Sequence, residues 1–205
     1  MILSLGAVML ASVWVAAAAP TFVSTWKAPA AGVLNFAGRR VAALVITDDT
    51  SLRMSAEEAL AREITQRGPR GVAAYTLIPR EALTDKAAAK TWFERTAVDG
   101  VVAMRVVGVD KDRVYSAVVW SSGTYGNFYD YYNSSWATVT PIGKGHIETT
   151  VAVETLLYRV SDAALLWASV SQTTNPTDAG SFMKGLVSAV VKQLQREGMI
   201  AKGSK

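Results

Sequence analysis

The sequence predicts an α/β (α+β) domain. Its core is a mixed sheet of about six strands, packed by two or three helices and ending in an antiparallel hairpin and a carboxy-terminal helix. Three observations lead there. Apolar runs alternate with helical periods through the first half of the chain, which favours parallel crossovers. Period-two segments divided by short turns fill much of the second half, which favours antiparallel pairing, and a mixed sheet satisfies both. Half of the 205 residues are hydrophobic and only 19% are charged, which excludes a disordered chain and suits one well-cored domain. No internal repeat is present.

Residues 1–18 carry no charge, and residues 16–19 are four alanines before Pro20. Small residues at the −3 and −1 positions of a cut after Ala18 make this the apolar core and cleavage region of a secretory signal peptide. A second reading keeps residues 2–19 as an uncleaved anchor, since about 20 apolar residues span a bilayer. Residues 19–38 hold Pro20, Pro29, Gly32 and Gly38 with Trp26 and Phe36 between them. They read as an extended arm that docks by its aromatics. The single domain is expected over residues 39–200, with 201–205 as a tail.

Within the domain, residues 41–46 form a continuous apolar run, the signature of a strand covered on both faces. A helix follows, with Ser55 and Glu58 as a capping box. Ala56, Leu60 and Ile64 lie along one face, and Arg67-Gly68-Pro69 is the stop. Residues 72–78 read as the second strand and 79–85 as a loop. A second helix spans about 85–97, with Ala89 and Phe93 one turn apart. Asp99-Gly100 turns into a third strand at 101–109. The charged residues 110–113 form a hairpin turn, and 114–120 return as a fourth strand. From Gly145 the pattern alternates: Ile147, Val151, Val153 and Leu157 on one face, Glu148, Thr150 and Glu154 on the other. That is the period of a half-buried antiparallel strand. Residues 161–164 turn it, and 165–173 pair back. The closing helix runs from about 178 to 197, with Phe182, Leu186, Val190 and Leu194 as its apolar stripe and Gly198 as its cap.

Composition narrows the function classes. The chain has no cysteine, so thiol catalysis, thiolate metal sites and a lipid anchor on cysteine are excluded. A secreted protein of this kind is held by its core alone. The formal net charge is +4, but the basic residues are scattered, unlike the clustered stripe of a nucleic-acid binder. Such a surface suits an anionic headgroup or a cell-wall polymer.

Few residues point to chemistry. His146 is the single histidine, and no nucleophile elbow surrounds any serine. Asp48-Asp49 follows the first apolar strand, where carboxylates can hold a metal or phosphate in an open α/β sheet. A polar turn before the first helix explains the pair more simply. Glu148 and Glu154 would lie about 20 Å apart along a strand, too far for a paired-carboxylate mechanism. Gly143-Lys144-Gly145 lacks the spacing of a phosphate loop. No catalytic, metal or cofactor residues are therefore assigned.

The most unusual segment is 120–136, with seven of the eighteen aromatics among small polar residues. Rigid aromatic area beside flexible hydrogen-bonding groups is the composition of recognition surfaces. Read as an extended excursion, its closely spaced rings cannot all face one core. Tyr125, Phe128, Tyr129, Tyr131, Tyr132 and Trp136 are thus expected to be largely exposed and to form the binding surface.

The order of elements, residues 41–46, the capped helix, Asp99-Gly100-Val101-Val102, Glu154-Thr155-Leu156-Leu157-Tyr158 and Leu165-Leu166-Trp167-Ala168 together resemble bacterial envelope lipoproteins of unknown function. The likeness spans about residues 39–200. The architecture also resembles the amino-terminal α/β domain of TolB. The chain departs from the lipoproteins in having no cysteine after its leader. The resemblance implies an envelope location and brings no catalytic residues with it.

The expectation is a non-catalytic, exported, periplasmic or envelope-associated protein without a cofactor. Its partner would be an envelope protein, a cell-wall polymer or a lipid, and not nucleic acid. Membrane association would come through residues 2–19 if they are retained. The alternatives are an envelope hydrolase using His146 or Asp48-Asp49, and an accessory subunit of a lipid or polymer export system.

Overall fold

A computed structural model describes residues 19–110, 125–138, 150–176 and 178–199. The leader, the tail and the features read at 111–120 and 143–148, His146 and Glu148 included, lie outside the described residues. The elements are β1 (Thr21–Lys27), β2 (Arg40–Ile46), α1 (Thr50–Thr65), β3 (Arg70–Ala73), α2 (Lys86–Arg95), β4 (Gly100–Asp110), α3 (Phe128–Ala137), β5 (Thr150–Arg159), β6 (Leu165–Thr174) and α4 (Ala179–Arg196). The six strands form one open mixed sheet in the order β1-β6-β5-β4-β2-β3. Among the described residues, four α-helices pack on it, in the α+β arrangement expected.

The layers follow from connection geometry. β2 pairs in parallel with β3 on one side and β4 on the other. A parallel crossover is almost always right-handed. Stepping from β2 to β3 and then back past β2 to β4 therefore puts α1 and α2 on opposite faces. One core accordingly contains Leu60 and Ile64 of α1 with Leu186, Val187, Val190 and Leu194 of α4. The other contains Ala89 and Phe93 of α2 with Phe128, Tyr131 and Tyr132 of α3.

Each helix starts on a polar cap. Asp49 accepts the Leu52 N–H at 3.0 Å, Asp85 accepts those of Ala87 and Ala88, Asn127 that of Tyr129 and Asp178 that of Ser181. These side chains satisfy amides that have no partner within the helix. α1 thus begins at Thr50, before the Ser55–Glu58 box. Ser55 instead donates its hydroxyl back to the Leu52 carbonyl. Gly198, at φ +68°, ends α4, and the Met199 N–H closes on the Leu194 carbonyl at 2.8 Å.

Three further expectations change. Residues 21–27 of the arm form an edge strand, antiparallel to β6. The arm's Phe36 ring lies over Gly100, where an added Cβ would sit 2.9 Å from it. The second strand stops at Ala73, and residues 74–76 turn into a short 3-10 helix. Glu57 explains this end: one carboxylate oxygen accepts the Val45 N–H at 3.1 Å and the other the Tyr75 N–H at 2.6 Å. The carboxylate stands where the β2–β3 ladder would have continued. Finally, β5 is buried on both faces and not half-exposed, because α2 and α3 cover the side read as solvent-facing.

Candidate functional site

The aromatic segment is core. Phe128, Tyr131 and Tyr132 are fully buried and Tyr129 nearly so, while Tyr125 and Trp136 are partly buried. The expectation of a largely exposed excursion is therefore corrected. The physical reason is the period. At 100° per residue, positions 128, 129, 131, 132, 135 and 136 fall on one side of a helix, whereas strand geometry would have divided them. Phe128 packs edge-on against Phe93 at 5.3 Å and tilted against Tyr158 at 5.2 Å. Polar tips are tied down: the Tyr132 hydroxyl donates to the Leu83 carbonyl and the Tyr158 hydroxyl to the Tyr125 carbonyl. Burial pushes both hydroxyls well above the ordinary tyrosine range, and that of Tyr129 up to about 12.

Beneath α3 lies an ion pair between register partners of β4 and β5. Arg105 donates to Glu154 at 3.0 Å and, through its other terminal nitrogen, to Thr138 at 2.7 Å. The Tyr131 hydroxyl donates to the same Glu154 oxygen at 3.3 Å. With Glu154 only 1% exposed, this arrangement neutralises a buried charge and fixes α3 to the sheet. Asp49 serves as the α1 cap, and Asp48 is exposed beside it. Among the described residues, no group of three or more His, Cys, Asp or Glu is placed to hold a metal ion. Among them, too, no helix is long and apolar enough to cross a membrane.

The other face of the sheet is incompletely filled. α1 and α4 bridge over it and leave two apolar cavities beneath them. The larger, about 510 Å³, is lined by Leu60 and Ile64 of α1, Val187 and Val190 of α4, and Thr155 and Trp167 of the sheet, among others. Its mouth carries Asn35, Gln66, Arg67 and Gln195. The smaller, about 180 Å³, sits at the carboxyl end of β2, beside the middle of β4 and between Leu52 of α1 and Phe182 of α4. This is the point where the crossovers diverge, the usual place for a ligand in an open α/β sheet. Met104 of β4 lines both cavities.

Two small hydroxyls face the same helices. Thr155 and Ser169 are register partners on β5 and β6. Both are fully buried, and among the described residues neither hydroxyl has a hydrogen-bond partner. Sequence reasoning missed this site because a void between helices leaves no mark in periodicity. The one available signal was the run of Ser and Thr on β6 where apolar residues would have filled the space.

No protein-family model matches the chain, and none of the curated proteins does. Solved structures do resemble it. The PelC dodecamer from Paraburkholderia phytofirmans is 18% identical with a TM-score of 0.48, covering 86% of this chain and 97% of that one. A point variant of that dodecamer is 16% identical at 0.48, covering 83% and 96%. Lipoprotein GNA1162 from Neisseria meningitidis is 16% identical at 0.39, covering 78% and 99%. At these values the likenesses carry no weight for function.

Proposed function

We propose that the protein is exported to the cell envelope and acts there as a non-catalytic protein that binds another envelope component. The observation that carries this reading is the apolar space of about 510 Å³ between α1 and α4. It falls within the roughly 300–1,000 Å³ of ligand-binding pockets and has their make-up, an apolar lining with a few polar groups at the rim. The leader supports the location, and so does the resemblance of residues 39–200 to envelope lipoproteins and to the TolB domain. The α3 aromatics, being core, do not form the binding surface in this reading. The α1–α4 groove takes that part.

Two measurements test it. Mass spectrometry of the protein from its own cells is expected to find an envelope fraction and a chain beginning at Ala19. A photo-cross-linking residue in place of Gln66, exposed at the groove mouth, is expected to capture an envelope component in intact cells. Intact Met1 in a cytoplasmic fraction would end the reading.

A further inference from the structure

Resting on that reading, we infer that the space between α1 and α4 takes an anionic amphiphile with a single long acyl chain, its tail along the sheet and its head at Arg67. The first ground is shape. The two cavities lie end to end under the same pair of helices. Leu52 lines one and Ile64 the other, as do Phe182 and Leu194. Each pair is twelve residues apart along its helix, or about 18 Å at 1.5 Å per residue. The space is therefore long and narrow, which suits an unbranched chain better than a compact ring system.

The second ground is the divide. Met104 borders both cavities, and methionine is unbranched and adapts to irregular space. In this proposal its rotamer decides whether the two volumes join. The third ground is charge. In the larger cavity the polar lining is Thr155 on the floor and, at the mouth beside the ends of α1 and α4, Arg67 with Gln66, Asn35 and Gln195; the smaller cavity adds Thr47, Arg105 and Asp178 at the opposite end. Both bonds from Arg67 to Glu63 use Nη1, and among the described residues Nε and Nη2 carry none. Two donors in a guanidinium plane fit a carboxylate or phosphate oxygen pair. A free fatty acid and a lysophospholipid both offer this chemistry.

The test uses protein purified from the cells that make it, stripped of bound lipid and titrated with palmitate. One palmitate per chain is expected. Val190→Trp fills the larger cavity and should weaken binding at least tenfold without lowering the melting temperature. Val187→Phe, entering from another turn of α4, should act likewise if the tryptophan variant does not fold. Arg67→Gln should weaken palmitate several-fold and leave hexadecanol unchanged. Native mass spectrometry of unstripped protein then identifies the source, since either a fatty acid or a lysophospholipid at one per chain supports the assignment. Folded wild-type protein that takes up no palmitate, or filled variants that bind it as wild type does, would overturn it. If the Gln66 cross-linker meanwhile captures a protein or a polymer, the acyl assignment falls while the envelope-binding reading stands.

Discussion

Replacing Thr155 with valine should make this protein more stable. The side chain is fully buried on β5, and its hydroxyl has no partner among the described residues. An unsatisfied buried hydroxyl costs about 1–3 kcal/mol, whereas an apolar group of the same shape costs nothing of the kind. Valine keeps the branched shape that fits a strand. The expected gain is about 1–2 kcal/mol, or roughly 2–8 °C in Tm for a domain of this size. Urea unfolding followed by tryptophan fluorescence measures it, with an unchanged m value required for a folded-state effect. Ser169→Ala, at the neighbouring register position, is the companion variant. Because the two residues adjoin, the double mutant need not be additive. A loss of 1 kcal/mol or more in Thr155→Val would refute the reasoning, since the hydroxyl would then be bonded in solution, for instance to a water held in the groove.

Three further outcomes are expected. Leu186→Ala should cost about 2–5 kcal/mol in chemical denaturation, because the side chain is fully buried between α4 and the sheet and leaves a cavity; a change within error would mean that α4 does not pack on this face. The double variant Tyr129→Ser with Tyr132→Ser should lose at least about 3–5 kcal/mol, the cost of removing a buried ring, and circular dichroism melts would show it; unchanged melting would return these rings to the surface. Burial raises the Glu57 carboxyl from 4.5 to about 7, so the folded state holds its proton more tightly than the unfolded one. This contribution is fully present below pH 4.5 and is lost as pH rises through about 7, on the order of 3 kcal/mol at 1.36 kcal/mol per pH unit. Glu57→Gln should flatten that part of the stability–pH curve, and an unchanged slope would remove Glu57 as its source.

Where period alone decides an element, it was legible. The stripe Phe182, Leu186, Val190 and Leu194 and the apolar run of β2 are such cases: each has one dominant spacing, and each became the element it suggested. α3 was not legible, because Tyr, Ser, Gly and Asn are weak helix formers. Composition suggested a loop while the spacing of 128, 131, 132 and 135 already matched a helix. β5 misled in the other direction. Its Glu154 fits a solvent-facing position until Arg105, on another strand, is seen to pair with it. Glu57 is similar: a helix carboxylate that bonds two distant backbone amides cannot be inferred from its neighbours in sequence. The groove between α1 and α4 belongs to the same class, being set by how far apart two helices rest and not by what either helix contains.

The place of β1 bears on how the molecule is made. Among the described residues, the first strand lies against the last, with Thr21 opposite Gln172 and Lys27 opposite Trp167. During synthesis β1 emerges long before its partner. Pairings between such remote segments form slowly, since a long loop must close before the contact is gained. The nascent polypeptide therefore cannot pair this edge of its sheet until β6 has been made.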